Sequence, residues 1–164
     1  MVVSGPNIRK MTVADHRVVG EVGFTAWKSS DAFKGIDLDD GVIERARAAF
    51  ESFAPATEAK VYIAERGGEL LGWVAQDGAP NYVSDLWVRP DQQGKGVGRA
   101  LLLHLIEVIR AVGYETATIQ TQASNVGAIR LYERCGFKIV WRGVEHSKSL
   151  GVDLEKVHLE KILR

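Results

Sequence analysis

The sequence lacks two features that would point to common classes of protein. Cys135 is the single cysteine among 164 residues, so no disulfide can form within the chain, and a reducing compartment is expected. An excess of positive charge is also missing, because 21 Lys and Arg residues balance 21 Asp and Glu residues. Since no basic run replaces it, nucleic acid is not expected as a partner, and a small molecule or a protein is favoured.

Long hydrophobic runs are missing as well. The longest apolar stretches, such as 70–75 and 101–103, are far too short to cross a bilayer. The first six residues lack the charged start and apolar segment of a signal peptide, so we expect a cytoplasmic protein with no membrane partner. With 46% hydrophobic residues and no repeat or linker, the sequence predicts a single domain over 1–164, with its core at about 7–162.

What is present is a regular alternation of strand and helix patterns. An α/β fold in three layers (α+β), built around one central sheet, is therefore expected. Strands are predicted at 7–11, 60–65, 69–76, 82–88, 116–121, 137–141 and 156–162. Helices are predicted at 12–26, 40–53, 97–112 and 125–135.

The most informative segment is 86–99, in which a strand runs through a loop into the strongest helix pattern of the chain. Gly94, Gly96 and Gly98 occupy alternate positions in it. The start of a helix leaves backbone N–H groups unpaired and carries partial positive charge, which attracts phosphate oxygens. Glycines keep side chains away from those donors and permit unusual backbone conformations. The segment therefore predicts a cradle for a diphosphate, to which Lys95 and Arg99 add positive charge.

Two common nucleotide motifs do not fit this glycine loop. A Walker loop needs Ser or Thr after its Gly-Lys pair to hold magnesium, and Gly96 stands at that position. A dinucleotide fingerprint that opens at Gly96 meets Leu101 where its last small residue should be. Considered alone, the loop leaves open which diphosphate it binds, and also whether it is a glycine-rich connection with no ligand.

Two separate motifs resolve this question by resemblance. Gln93 to Gly98 matches the pattern Gln/Arg-x-x-Gly-x-Gly/Ala, and 125–137 matches Asn-x-x-Ala-x-x-Leu-Tyr-x-x-x-Gly-Phe. In this order, with a helix and a strand between them, the motifs resemble those of the GNAT superfamily of acyl-CoA N-acyltransferases, and the resemblance covers nearly the whole chain. It implies a mixed, mostly antiparallel sheet of six to seven strands with about four flanking helices. It also implies acetyl-CoA as cosubstrate, and no metal.

The resemblance further implies which residues contact the cofactor. The backbone of 86–88 would meet the pantetheine arm, the loop up to Arg99 would hold the diphosphate, and Asn125 would bond the pantetheine or acyl end. The implied cofactor-binding residues are Leu86, Trp87, Val88, Gln93, Gly94, Lys95, Gly96, Val97, Gly98, Arg99, Asn125 and Tyr132.

Two residues are candidates for catalysis. The resemblance gives Tyr132 the position of the general acid toward the departing thiolate, although such a ring could serve core packing alone. Ribosomal-protein alanine acetyltransferases, whose second motif is similar, carry Glu five residues before the Asn, where this chain has Gln120. Asp85 is the carboxylate best placed to act as base, unless it is a surface charge at a strand end. Glu145 and His146 are expected in a loop before the last strand.

Trp27 and Phe33 lie between the first two predicted helices, a region that borders the acceptor in this family. The function implied is direct transfer of acetyl from acetyl-CoA to a primary amine, with a small-molecule amine favoured. A protein N-terminus or lysine is the alternative acceptor, and a non-catalytic acyl-CoA-binding sensor is the alternative of another class. Relatives pair through late strands, which leaves a homodimer as an open alternative to a monomer.

Overall fold

The computed structural model describes residues 5–33, 37–57, 60–148 and 151–164. The strands in this part of the chain are β1 (Asn7–Lys10), β2 (Lys60–Arg66), β3 (Glu69–Gln76), β4 (Tyr82–Val88), β5 (Thr116–Gln122), β6 (Lys138–Ser147) and β7 (Val152–Ile162). The α-helices are α1 (His16–Ser29), α2 (Asp40–Ala56), α3 (Val97–Val112) and α4 (Val126–Arg134). Short 3-10 turns cover Val13–Asp15, Asp31–Phe33 and Pro90–Gln92.

All seven strands form one sheet, in the order β1-β2-β3-β4-β5-β7-β6. Every neighbouring pair is antiparallel except β4 and β5, which are parallel. The expected mixed, mostly antiparallel sheet is therefore confirmed. The parallel pair is short, because β4 and β5 are in register only at Tyr82–Thr118 and Val83–Ile119. Beyond Val83 the two strands separate, and a wedge opens in the middle of the sheet.

A β-bulge lies where β4 leaves β5. Val83 is opposite Gln76 of β3 and Asp85 is opposite Ala75, so Ser84 is an extra residue on β4. The hydroxyl of Ser84 donates a hydrogen bond to the carbonyl oxygen of Ala75, at 3.2 Å. Bulges bend a strand and change the direction of its side chains, and here the affected side chain is that of Asp85.

Helices cover the two faces of the sheet. On one face, α3 and α4 enclose a core to which α3 contributes apolar residues at 97, 101, 102, 105, 106 and 109. This spacing confirms the helical periodicity in the sequence. On the other face, α1 and α2 pack against β2, β3 and β4 around Val19, Ile63 and Trp73. Each face has its own core, and together they give the three expected layers.

The beginning of α1 is fixed to the sheet by charge. Arg9 of β1 donates hydrogen bonds to both carboxylate oxygens of Asp15, at 2.8 and 2.9 Å, and a third to Glu65 of β2, at 3.1 Å. The backbone N–H of Thr12 also donates to Asp15, which completes a capping box. These bonds lower the pKa of Asp15 to about 2, and the hydrogen bond from Arg9 has the largest effect. The predicted helix start at Thr12 is confirmed as this short 3-10 turn that leads into α1.

The last hairpin is longer than the sequence predicted. Strand β6 continues to Ser147 and β7 begins at Val152, so Glu145 and His146 lie in a strand, and the prediction of a loop was wrong. The polar composition of this segment suggested a loop because one side of the outer hairpin is exposed and most of the other side is only half-buried. Helix α2 also exceeds its prediction and runs through Pro55 to Ala56. A proline in the last turn costs a helix only one N–H donor.

None of the helices in the described residues is both long enough and apolar enough to span a membrane.

Candidate active site

A groove of about 510 Å³ lies in the wedge between β4 and the beginnings of α3 and α4, and is called the wedge groove below. Most of the cofactor residues predicted from the sequence line it, namely Leu86, Trp87, Val88, Gln93, Gly94, Gly96, Gly98, Arg99, Asn125 and Tyr132. Lys95 and Val97 are not among its lining residues. The side chain of Val97 is buried in the core beneath α3, so only its backbone could meet a ligand.

The glycine loop has the backbone geometry of an anion cradle. Gly94 and Gly96 have positive φ angles of 74° and 85°, which favour glycine, and a Cβ on either would point into open space. The first in-helix hydrogen bond of α3 joins the N–H of Ala100 to the carbonyl oxygen of Gly96, at 3.0 Å. The N–H groups of 97–99 therefore have no in-helix partner and are available to an anion.

Gly98 has a different role from its two neighbours. A Cβ at this position would lie 3.2 Å from Cδ2 of Leu131 and 3.5 Å from Cγ2 of Val88. Its small size therefore lets α3 approach α4 and β4, and is needed for packing as well as for access to the groove. Gln93 closes the loop, since its side-chain amide donates a hydrogen bond to the carbonyl oxygen of Val88, at 3.2 Å.

Cationic and polar side chains around the wedge groove include some that sequence reasoning missed. Arg99 of α3 was predicted, but Arg134 at the end of α4 was not. Ser29, Ser30 and Asp31 reach the groove from the end of α1. The sequence carried no signal for these residues, because their place in the groove depends on how α1 and α4 pack against β4.

Tyr132 lines the wedge groove and is 6% exposed. Burial raises the pKa of its hydroxyl above the usual value, and the charges of Tyr82 and Asp85 raise it further. The hydroxyl is therefore protonated at neutral pH and can act as a donor but not as a base. Its ring also packs against Phe137, with ring centroids 6.4 Å apart, so the packing alternative is true in part.

A second cavity, of about 360 Å³, lies on the α1–α2 face of the sheet and is called the aromatic cavity below. Its walls include the aromatic side chains Trp27, Phe50, Phe53, Tyr82 and Trp87. Its polar side chains include Ser84, Asp85, Gln120, Gln122, Asn125 and Lys156.

The two cavities meet at Trp87 and Asn125, which line both of them. The indole ring of Trp87 is held by Phe50 in an edge-to-face contact, with centroids 5.4 Å apart. The amide of Asn125 donates a hydrogen bond to the hydroxyl of Thr121, at 3.2 Å. Both side chains are thus fixed in position at the junction.

Asp85 lies on the aromatic-cavity side of this junction. Burial raises the pKa of its carboxyl group, while hydrogen bonds from Trp87 and Ser84 act in the opposite direction. The indole N–H of Trp87 donates to Oδ1 of Asp85 at 3.2 Å. Tyr82, which the sequence did not indicate, also lines this cavity, and its pKa is raised by burial and by the charges of Asp85 and Glu145. The cavity therefore holds a carboxylate whose affinity for a proton is increased.

The two predicted acceptor residues differ in their positions. Trp27 lines the aromatic cavity, whereas Phe33 is 8% exposed and packs edge-on against Trp27, with ring centroids 5.0 Å apart. Phe33 thus supports the wall without lining the cavity. Gln120 does line it. Within the described ranges, no group of three or more His, Cys, Asp or Glu residues is arranged to hold a metal ion.

A mixed sheet that splays between its parallel strands, with a glycine-rich helix start in the gap, defines the N-acetyltransferase class of α/β folds. The chain belongs to the acetyltransferase (GNAT) family, whose model matches residues 26–137.

Solved structures share this fold over nearly the full chain. A GCN5-related N-acetyltransferase from Rhodopseudomonas palustris is 22% identical, covers 99% of this chain and 98% of its own, and superposes with a TM-score of 0.80. A putative acetyltransferase from Salmonella typhimurium, solved with acetyl-CoA, is 24% identical, with coverages of 98% and 95% and a TM-score of 0.70.

Curated relatives match shorter segments. Mycothiol acetyltransferase from Streptomyces avermitilis is 41% identical over 106 residues, which are 62% of this chain and 31% of that protein. The ribosomal protein bS18 alanine N-acetyltransferase from Escherichia coli K12 is 50% identical over 50 residues, which are 30% of this chain and 34% of that protein. The chain therefore matches only about a third of the length of these relatives.

Proposed function

We propose that the protein is an N-acetyltransferase that transfers the acetyl group of acetyl-CoA directly to the primary amine of a small molecule. The observation that carries this proposal is the junction of two cavities at Trp87 and Asn125. One cavity has the backbone donors and arginines that suit a diphosphate, and the other has an aromatic wall and a half-buried carboxylate. Two substrates that enter from opposite faces of the sheet would meet at this junction.

The wedge groove suits the shape and charge of CoA. The free N–H groups at the start of α3, together with Arg99 and Arg134, would hold its phosphates. The pantetheine arm would lie along 86–88, where β4 has separated from β5 and its backbone groups on that side have no partner strand. An extended amide chain can bond such an unpaired strand edge in the way that another strand would. Asn125 would then contact the acyl end.

The proposed reaction needs one base and one acid, on opposite sides of the junction. When acetyl-CoA is bound it supplies the thioester, and the transfer forms one C–N bond, breaks one C–S bond and releases free CoA. Asp85 would accept the proton that the amine must lose, directly or through water, since its raised pKa makes it a better base than an exposed carboxylate. Tyr132 would provide the proton that the departing sulfur needs, because its hydroxyl stays protonated in its buried position.

The position of the two substrates would itself accelerate the reaction. Fixing an amine beside the acyl carbon makes a bimolecular step effectively intramolecular. The contact of Trp87 with Phe50 and the hydrogen bond of Asn125 to Thr121 hold the junction rigid before either substrate arrives. No covalent intermediate on the protein is needed, and Cys135, which is buried in the α3–α4 core, is not involved.

A small-molecule acceptor fits the size of the aromatic cavity, because about 360 Å³ lies in the usual range for sites of small ligands. A protein N-terminus is the second candidate, and the similarity to the ribosomal protein bS18 alanine N-acetyltransferase favours it. The presence of Gln120 counts against that candidate, since Gln cannot accept a proton as the Glu of those enzymes can.

An acceptor panel tests the proposal. Acetyl-CoA binding is first measured by calorimetry, and release of free CoA thiol is then followed with amino acids, polyamines, aromatic amines and short peptides. We expect binding, together with thiol release that depends on the presence of one of the small amines. Release with peptides alone would favour the protein acceptor. Tight binding without acceptor-dependent release would favour the non-catalytic sensor and would contradict the proposal.

A further inference from the structure

The polar side of the aromatic cavity contains one cationic side chain, Lys156 of β7. It lies opposite Gln122 of β5 and Gly143 of β6 in the sheet register, and it is half-buried. Since Gly143 has no side chain, the indole ring of Trp141 lies over it, and a Cβ there would be 2.5 Å from that ring. Lys156 therefore lies between an aromatic ring and an amide, with no acidic neighbour directly across either strand.

The acids closest to Lys156 along the hairpin have other partners. Glu155 accepts a hydrogen bond from Arg142, at 2.5 Å, and Asp153 contacts His146, at 2.9 Å. Oε1 of Glu145 lies 2.7 Å from Nε2 of His158, a close contact that is not aligned as a hydrogen bond. Within the described ranges, the side chain of Lys156 has neither a hydrogen bond nor an ion pair.

Asp85 does not neutralise Lys156 either. Both side chains line the aromatic cavity, yet no pair of their charged atoms comes within ion-pair distance. The cavity thus carries one anionic and one cationic side chain that face the same space without bonding each other. A cationic side chain that lines a cavity without an ion-pair partner can bind an anion that enters, through a charge-assisted hydrogen bond.

We infer that the acceptor carries a carboxylate in addition to its amine, and that Lys156 binds this carboxylate. This inference rests on the proposed function, because it assigns the amine to the junction near Asp85. The apolar part of the acceptor would contact the aromatic wall, in which Phe50 and Phe53 lie on one side of α2 and Trp27 faces them from α1. An amine, a carboxylate and a large apolar group together describe an aromatic or large aliphatic amino acid.

The phosphates of CoA are not an alternative ligand for Lys156. This side chain does not line the wedge groove, which has Arg99 and Arg134 as its own cations. The two sets of cations lie on opposite faces of the sheet, since Arg99 and Arg134 belong to α3 and α4, while Lys156 faces the α1–α2 side. Lys156 can therefore be changed without direct loss of cofactor contacts.

The test compares phenylalanine with phenethylamine, which has the same ring and amine but no carboxylate. The variants are Lys156→Met and Lys156→Gln, with Lys156→Arg to keep the charge, and Lys138→Met as a matched control on the exposed edge strand β6. The ratio of variant to wild-type kcat/KM is taken for each amine, because this ratio cancels their different basicities. We expect a loss of about 10- to 100-fold with phenylalanine in the Met and Gln variants, and less than about twofold with phenethylamine. Lys156→Arg should retain most of the activity and Lys138→Met all of it.

A binding measurement keeps this inference separate from the proposed function. Phenylalanine and phenethylamine are titrated into protein saturated with CoA, which has no acyl group to transfer. Tighter binding of phenylalanine to the wild type, lost in Lys156→Met, supports the inference even where no thiol release is seen. Equal losses with both amines, or no binding of phenylalanine to the wild type, would overturn it. Thiol release with phenethylamine alone would support the proposed function and overturn this inference.

Discussion

The wedge groove and the aromatic cavity share two residues but are built in opposite ways. The groove is formed mainly by two continuous segments, 86–99 and 125–134, and much of it is backbone. The aromatic cavity takes side chains from two helices and four strands, which lie between 27 and 156 in the sequence. A ligand common to a family can be bound by a local motif, whereas an acceptor that varies among members is bound by side chains that only the fold brings together.

This difference predicts that substitutions in the wedge groove and in the aromatic cavity change different kinetic and binding constants. Changes in the groove should act on cofactor affinity through backbone conformation. Changes in the aromatic cavity should act on the acceptor and on its proton transfer, and leave cofactor affinity almost unchanged. Tyr132 lines the wedge groove, and because its proposed role is in the transfer itself it should affect turnover most of all.

The largest effect is expected for Tyr132→Phe. Loss of the hydroxyl removes the proposed donor to the departing sulfur, and general acids contribute about 10²- to 10⁴-fold to a rate. We expect kcat to fall by about 100-fold, with little change in the Kd of acetyl-CoA. Tyr62→Phe is the matched control, because Tyr62 is 7% exposed and lines neither cavity. Equal activity of Tyr132→Phe and wild type would remove the acid role.

A smaller loss, of about 10- to 100-fold in kcat/KM for the acceptor, is expected for Asp85→Asn. In the wild type this parameter should rise with pH through the raised pKa of Asp85, and the variant should lack this rise. Asparagine keeps an oxygen that can accept the hydrogen bond from Trp87, so the wall of the aromatic cavity should stay intact. Asp40→Asn, at an exposed position at the start of α2, controls for the loss of one charge. A variant that keeps the wild-type pH profile would show that another group is the base.

The same variant should be more stable than the wild type at neutral pH. Burial raises the pKa of Asp85 in the folded state above its ordinary value of 3.8. The stability that this group contributes is therefore present below that value and is lost as the pH rises through the folded-state pKa. At pH 7 the ionised carboxylate lowers the free energy of unfolding. Asparagine does not ionise and so removes this loss. Thermal unfolding of both proteins at several pH values measures this, and a lower Tm for the variant at pH 7 would contradict it.

The smallest effect, about 10-fold on the Kd of acetyl-CoA, is expected for Gly96→Val. A β-branched residue is strained at a φ of 85°, and its side chain would enter the space in front of the helix start. Gly67→Val is the matched control, because Gly67 also has a positive φ, of 59°, and open space around it, but lies in the β2–β3 turn. Similar losses of affinity in both variants would mean that general destabilisation, not the cradle, is responsible.

The wedge groove and the aromatic cavity also differ in how far the sequence could predict them. The bounds of β3, β4 and α3 agree with the prediction, because periodicity and the Gly and Pro residues around them are local signals. The groove followed from the glycine loop for the same reason. Lys156 and Tyr82 carried no such signal, since their place in the cavity depends on which face of the sheet each strand turns toward the α1–α2 layer.

The register of the strands was the hardest feature to predict. The bulge at Ser84, which directs Asp85 into the aromatic cavity, depends on the pairing of β4 with β3. The outer half of the β6–β7 hairpin is exposed on one side and only partly buried on the other, which faces the aromatic cavity, so it resembled a loop. Gly98 was assigned to the cofactor alone, yet its contact with Leu131 is a matter of helix packing that no local pattern reveals.

A bisubstrate ligand tests most directly whether the two cavities form one continuous site. In such a ligand an acetyl bridge joins the sulfur of CoA to the nitrogen of the best amine in the panel. If the cavities meet at Trp87 and Asn125, both halves bind at once, and the ligand should bind at least about 100-fold more tightly than CoA alone. Calorimetric competition against CoA measures this ratio. A conjugate that binds no more tightly than CoA would contradict a shared site.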